Sequence, residues 1–294
     1  MEIAIDMGKE QSYVLMEENG KTVKEGYTQT SREGFAAFFG NVANPKIVVE
    51  AGSTLNRIAN ILDGYDITVA HPARVKLIAQ SVKKTDKIDA HTIMDLYKKD
   101  SLPRSYLPER AVRDARDLCR DRALLVRQRT GIKNKIKYHA FYLGIPRFKG
   151  YGKKIMKRLK EESSLQLLVE QLDNINAVIG KYDEKIGSMV GVDSKVSRYA
   201  RLMDTIPGIG KDSTLAIASE IGDIGRFPNE FHFFSYVGVV PRIYQSGDKE
   251  WRGHITKGNV FMKTTLLPRV CEKDRWRQKF TNSLYISRTV SSND

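Results

Sequence analysis

Over residues 1–100 the apolar positions fall in short runs separated by turn residues, a strand texture broken by two helical stretches. Residues 2–6 (EIAID) read as a strand, and residues 11–16 (QSYVLM) as a second after a turn at 8–10. Residues 20–27 supply a third strand and complete an antiparallel meander. A helix is predicted over 31–39, with Ser31 as its N-cap. Residues 46–51 (KIVVEA) form the continuous apolar run expected of a buried parallel strand. Residues 52–54 cap a helix through Leu62, residues 67–70 give the next strand, and a further helix follows.

That order, three strands and then helix, strand, helix, strand, helix, predicts an α/β domain of the ribonuclease H-like class over residues 1–100. The texture then changes. No proline interrupts residues 111–143, where Leu118, Leu125 and Ile132 recur every seven positions among charges. Residues 153–188 carry a second stripe through Leu165, Leu168, Val169, Leu172, Ile175 and Ile179. Two long helices joined near 144–152 fit a coiled-coil-like arm, suited to dimerisation, and fit an ordinary helical subdomain equally. This middle region spans 101–195. Residues 196–294 form a third, mostly α region, in which 202–223 reads as helix, Pro-Gly-Ile-Gly turn, helix.

Charge sharpens the picture. The 294 residues carry 49 Lys and Arg against 35 Asp and Glu, a net +14. Residues 81–150 hold 18 bases and eight acids, so +10 of the excess lies there. Such a face attracts polyphosphate by counterion release, which makes nucleic acid the expected partner rather than a membrane surface. No run is apolar enough to span a bilayer, and the first residues lack a signal-peptide pattern, so a cytoplasmic protein is expected. Two cysteines, Cys119 and Cys271, support neither a disulfide framework nor a cysteine-rich zinc site. Five scattered histidines form no His-x-His pair, and no Walker loop is present.

Four acids stand out. Asp6 ends the first strand and Glu50 ends a strand expected beside it, where open α/β sheets place their sites. Asp86 and Asp89 in KTDKIDA sit at i and i+3, on one face of a helix. Four clustered carboxylates repel unless cations bridge them, and hard oxygen ligands select Mg2+ or Mn2+. Two such ions can activate a nucleophile and stabilise a leaving oxygen at phosphorus. Singly, each acid could equally be a helix cap or a solvated ion-pair partner beside Lys83, Lys84 and Lys87.

The C-terminal region adds nucleic-acid contacts. Gly208 and Gly210 before Lys211 would present backbone N–H groups to a phosphate, as a helix-hairpin-helix does, or would simply join two helices. In residues 235–263, Ser246 precedes Gly247 in a polar loop, as in many turns, yet Arg242, Lys249 and Arg252 surround it and could hold phosphates. Lys257 and Asn259 open a final helix and could touch a backbone; His254 lies near Ser246 in sequence.

Taken together, IAIDMGK, VVEAGS and KTDKIDAHTI, followed by IPGIGKDSTLAIASEIGDIGRF, FSYVGVVPRIYQSG and GHITKGN, resemble the DEDD transposases of bacterial insertion-sequence family 110 and the related Piv-type DNA invertases. The resemblance runs through most of the chain in the right order. It implies a RuvC-like domain in which Asp6, Glu50, Asp86 and Asp89 hold magnesium or manganese. It further implies that Ser246 forms a covalent phosphoserine bond with DNA, in a composite site assembled between subunits of a homodimer or homotetramer. Strand exchange would then need no ATP. Several members are guided by a structured RNA, which the basic region 83–160 could bind, and a nucleoid-associated location would follow. Met262 and Lys263 replace the usual Leu and Arg after Gly-Asn, and residues 271–294 are polar and weakly patterned. Two other functions use the same residues: a RuvC-like endonuclease acting with metals alone, and a catalytically degenerate nucleic-acid-binding remnant.

Overall fold

The computed structural model describes residues 1–78, 85–191, 194–206, 209–246, 249–255 and 258–270, with backbone alone at some positions beyond 210. The chain divides into two compact units, Met1–Arg110 and the remainder from Ala111.

The first unit is a six-stranded mixed sheet with helices on both faces. Strands β1 (Glu2–Asp6), β2 (Gln11–Glu18) and β3 (Lys21–Gln29) form the antiparallel meander. Helix α1 (Arg32–Phe39) starts where Ser31 accepts a hydrogen bond from the Gly34 N–H at 3.0 Å. Then come β4 (Lys46–Glu50), α2 (Leu55–Ile61), β5 (Asp66–Ala70), α3 (Pro72–Ile78), α4 (Asp86–Lys98) and the two-residue β6 (Arg104–Ser105). The sheet order is β3-β2-β1-β4-β5-β6, with β1, β4 and β5 mutually parallel and β6 antiparallel at the edge. This mixed sheet is compatible with the ribonuclease H-like expectation. Helix α3 and strand β6 are additions to the sequence reading.

Side-chain parity decides which face each residue serves, because strand side chains alternate. Ile3, Ile5, Ile47 and Val49 are fully buried on one face with Phe35 and Phe39 of α1 and Ile58 of α2. The even-numbered Ala4 and Val48 point the other way, onto Ala90 and Met94, and onto Val75 and Ile93, respectively. Helix α4 therefore lies on the even face of the sheet.

The second unit is mostly helical. Helix α5 (Arg110–Tyr142) runs 33 residues, and α6 (Lys153–Glu161) and α7 (Ser163–Gly191) follow. The stretch expected as one helix over 153–188 is thus two, divided at Glu162, whose backbone is extended (ψ 109°). Ile136 and Ala140 of α5 share a core with Leu159, Leu165, Val169 and Leu172. Helices α8 (Lys195–Asp204), α9 (Lys211–Ile221), α10 (Glu230–Val237) and α11 (Val260–Val270) complete the unit, with a hairpin of β7 (Pro241–Ser246) and β8 (Lys249–Ile255) between the last two. Met203, Ile217, Ile221, Phe233 and Met262 form its distal core.

Candidate active site

Parity puts two acids on the α4 face. Asp6 continues the Ala4 side of β1, and Glu50 continues the Val48 side of β4. The parallel register Ile5↔Val49, extended by one residue, sets them side by side at the strand ends. Helix α4 supplies the other two. Thr85 is its N-cap, accepting from the Ile88 N–H at 3.2 Å, so Asp86 and Asp89 both fall in the first turn. There the helix dipole favours negative charge, which offsets part of their repulsion.

The four acids line one cleft of about 310 Å³, closed off by Gly8, Gly52 and their neighbours. A side chain at Gly8 would place Cβ 1.9 Å from the Gln11 carbonyl, so the tight β1–β2 turn beside Asp6 requires glycine. The Asp6 carboxyl is pushed up to about 6, first by burial and then by the charges of Asp86, Asp89 and Glu50. Like charges gathered in a partly buried cleft raise the cost of ionising Asp6. Carboxylate oxygens suit a hard divalent ion. Among the described residues, no three Asp, Glu, His or Cys side chains stand close enough together to hold one ion as they are.

Polar contacts from β2 and β3 hold α4 in place, and of the residues that make them the sequence singled out only Asp86 and Lys87. Glu25 of β3 pairs with Lys87 and accepts a hydrogen bond from His91 Nε2 at 2.8 Å. These two contacts hold the Glu25 carboxyl down to about 2. Tyr27 donates to Asp86 Oδ2 at 3.2 Å. At the far end of α4, Lys98 pairs with the buried Glu17 of β2 at 2.6 Å.

In the second unit, Ser246 is the last residue of β7, opposite Lys249. Tyr244 and Trp251 are cross-strand partners whose rings stack at 5.8 Å and 13°. Arg242 and Arg252 lie on the two strands, and their side chains, like those of Ser246 and Lys211, are outside the described residues. Gly208 and Lys257 lie wholly outside them, and Gly210 is the N-cap of α9. Asn259 has an internal role. Its amide donates to Glu220 Oε2 at 2.6 Å and to the Tyr236 hydroxyl at 2.9 Å, while its Oδ1 caps the Met262 N–H at 3.0 Å. Gly258, beside it, packs so tightly that a Cβ would lie 2.4 Å from Gly238 Cα. Gly238 closes α10 in the left-handed conformation (φ 80°).

A mixed sheet with an acid cleft at its strand ends, followed by a helical unit, is compatible with a DEDD transposase. Sequence comparison agrees. The DEDD transposase model of the IS110 family matches residues 3–140, and the model described as "Transposase IS116/IS110/IS902 family" matches residues 200–280. The chain belongs to the IS110 family of transposases. The transposase for insertion sequence element IS1111A of Coxiella burnetii is 26% identical over 90% of this chain and 75% of its own length. A probable family 20 transposase of Pseudomonas aeruginosa is 27% identical over 66% of this chain and 62% of its own length. The pilin gene-inverting protein of Moraxella bovis is 30% identical over 33% of this chain and 32% of its own length. A DEDD transposase family implies the use of divalent metal in general terms. Among the described residues no helix is long and apolar enough to cross a membrane.

Proposed function

We propose that this protein cuts and rejoins DNA as the recombinase of a mobile element, using a divalent-metal site built from Asp6, Glu50, Asp86 and Asp89 and a serine nucleophile, Ser246. The observation that carries the reading is the meeting of these four carboxylates in one cleft, where burial and then its acidic neighbours push the Asp6 carboxyl up to about 6.

In this reading the strand ends of β1 and β4 fix two ligands rigidly, and α4 brings the other two on a helix tied to the sheet at both ends. Magnesium or manganese bound there would lower the charge on the scissile phosphate and on the leaving oxygen. The cleft residues would orient that phosphate. The Ser246 Oγ attacks phosphorus, its proton passing to a base or to water. The bond from phosphorus to the leaving deoxyribose oxygen breaks, and that oxygen takes up a proton. Attack of another deoxyribose hydroxyl on the phosphoserine reverses the step and reseals DNA, which conserves bond energy without a nucleotide cofactor. Arg242 and Arg252, on the hairpin that carries Ser246, and the α9 N-terminus at Gly210 and Lys211 would hold flanking phosphates, with Gly208 and Lys257 as further contacts. A structured guide RNA and a dimeric or tetrameric assembly complete the proposal, supported by the family and by the basic residues of 81–150.

The test is covalent capture. Protein, Mg2+, DNA spanning the element junction and RNA from its flank are incubated, denatured and resolved on a gel. A protein–DNA adduct that disappears in both Ser246→Ala and Asp6→Ala supports the proposal. Cleavage without adduct, unchanged by Ser246→Ala, would show instead a nuclease acting through the acids alone.

A further inference from the structure

The helical unit carries a second surface, far in sequence from the acids. Near its C-terminal end α5 exposes three large rings, Tyr138, Phe141 and Tyr142, at 55%, 61% and 68% of their areas, while Ile136 and Ala140 of the same helix are buried. Tyr138 and Tyr142 meet edge to face with centroids 4.7 Å apart, and their hydroxyls are hydrogen-bonded at 3.0 Å. Phe141 lies 5.9 Å from Tyr142. A cavity of about 410 Å³ opens beside the rings, walled by Tyr138, Phe141, Pro146 and Phe148 and edged by Lys137 and Arg147. A contiguous exposed aromatic surface of this kind marks a place where something binds.

Charge selects the occupant. No Asp or Glu stands between Asp121 and Glu161, while Lys and Arg recur throughout that stretch. The Lys135 ammonium lies 5.7 Å from the Tyr138 ring centre. Lys133 is pushed below the usual lysine range by burial and by Arg129 and Lys137, a sign of crowded positive charge. A second copy of this surface would bring like charge against like. A single nucleic-acid strand offers flat base faces for the rings and a phosphate at every step for the cations, whereas a duplex keeps its base faces stacked away.

We propose that the end of α5 and the loop after it form a binding site for single-stranded DNA, in which Tyr138, Phe141 and Tyr142 stack on unpaired bases while Lys135, Lys137 and Arg147 hold the flanking phosphates. This site needs neither the metal cleft nor Ser246, so it stands apart from the proposed chemistry.

The experiment is fluorescence anisotropy with full-length protein in EDTA, comparing labelled oligothymidylate of about 20 nucleotides, a duplex of equal length and the matching RNA strand. The DNA strand is expected to bind more tightly than the duplex. Tyr138→Ala and Phe141→Ala each weaken strand binding about tenfold or more, in line with the stacking contribution of one base, and leave duplex binding within about twofold. Tyr138→Phe keeps the affinity, and Lys135→Ala, unlike the ring variants, lowers the salt slope by about one. Strand binding unchanged in both ring-to-alanine variants would overturn the proposal. So would a Tyr138→Leu protein as tight as wild type, or an RNA strand bound tenfold tighter than DNA through the same rings. If the ring variants instead convert a dimer into monomer by light scattering, with strand affinity intact, the surface is a contact between chains.

Discussion

The Tyr27 hydroxyl donates a hydrogen bond to Asp86 Oδ2 at 3.2 Å, linking the end of β3 to the first turn of α4. The bond keeps the phenol protonated, since the Asp86 carboxylate raises its pKa. The Tyr27 ring is itself held edge-on against Tyr13, with centroids 5.1 Å apart. One carboxylate of the proposed metal site is therefore oriented before any ion arrives. Tyr27→Phe retains the ring contact and removes only the hydrogen bond. The metal concentration giving half-maximal cleavage should rise about three- to tenfold, as expected for one exposed charge-assisted bond, with the rate at saturating metal near wild type. A variant that needs less metal than wild type would show that the bond restrains Asp86 from its ion.

Asp6 makes the metal-free protein sensitive to pH in an unusual direction. Its folded pKa of about 6 lies above the ordinary 3.8. The folded state thus prefers the protonated acid. The associated stability is complete below the unfolded pKa and is lost as pH rises through about 6. After discounting for solvent screening the loss is on the order of 1 kcal/mol, a few degrees of melting temperature. In EDTA, Asp6→Asn should melt a few degrees above wild type at pH 7.5, with the gap narrowing below pH 6 and closing only below about 3.8. Added Mg2+ at pH 7.5 should then raise the wild-type melting point more than that of the variant. Identical wild-type and variant melts at pH 7.5 would mean that the cleft tolerates its charges unaided.

Much of the first unit was legible because its signals are local. Ser31 caps where expected, the Ile3–Ile5 and Ile47–Val49 runs are buried strands, and Asp86 and Asp89 share a helical turn after Thr85. Strand β6 was not legible, since two residues have no period and Ser105 pairs with Val69 only through tertiary contact. The break at Glu162 was hidden because neither Gly nor Pro marks it. Glu25, Tyr27 and His91 escaped for a similar reason, and Lys87 was legible as an ion-pair residue while its partner was not: β3 and α4 meet across some 60 positions, and a charged residue on a strand looks like a solvated one. In the second unit, Asn259 reads as a surface residue after Lys257-Gly258 until Glu220 and Tyr236 are seen against it.

Among the described residues, an aromatic pair braces the hairpin carrying Ser246. Tyr244 and Trp251 face each other across β7 and β8 and stack in parallel. Such a pair contributes about 0.5–1.5 kcal/mol, a large share for a two-stranded ribbon that is marginal alone. Trp251→Ala should lower the yield of covalent adduct about three- to tenfold while global melting moves by less than about 2 °C. Trp251→Phe should restore most of the yield. Full adduct formation by Trp251→Ala would show that other contacts fix the hairpin.

Among the described residues, the Glu220 carboxylate of the second unit is paired to bases with no side-chain exposure at all. Arg120 grips it through two hydrogen bonds of 2.7 and 3.0 Å, Arg116 lies 3.6 Å away, and Asn259 donates at 2.6 Å. The network joins α5, α9 and the start of α11, and Tyr236 extends it to α10 through the Glu220 carbonyl at 3.1 Å. Arg120 is itself half exposed, and Arg116 and Asn259 remain on Glu220, so Arg120→Ala should destabilise the unit by about 1–3 kcal/mol rather than by the full cost of an unpaired buried ion. Asn259→Ala should cost about 1–3 kcal/mol, from the lost α11 cap and from a Glu220 oxygen left short of a donor. Urea unfolding measures both. Duplex DNA affinity, corrected for the folded fraction, should stay at the wild-type value in Asn259→Ala, because the amide is turned toward Glu220 and Tyr236. If that variant unfolds like wild type and binds duplex DNA more weakly, Asn259 contacts a phosphate instead, and the start of α11 belongs to the DNA-binding surface.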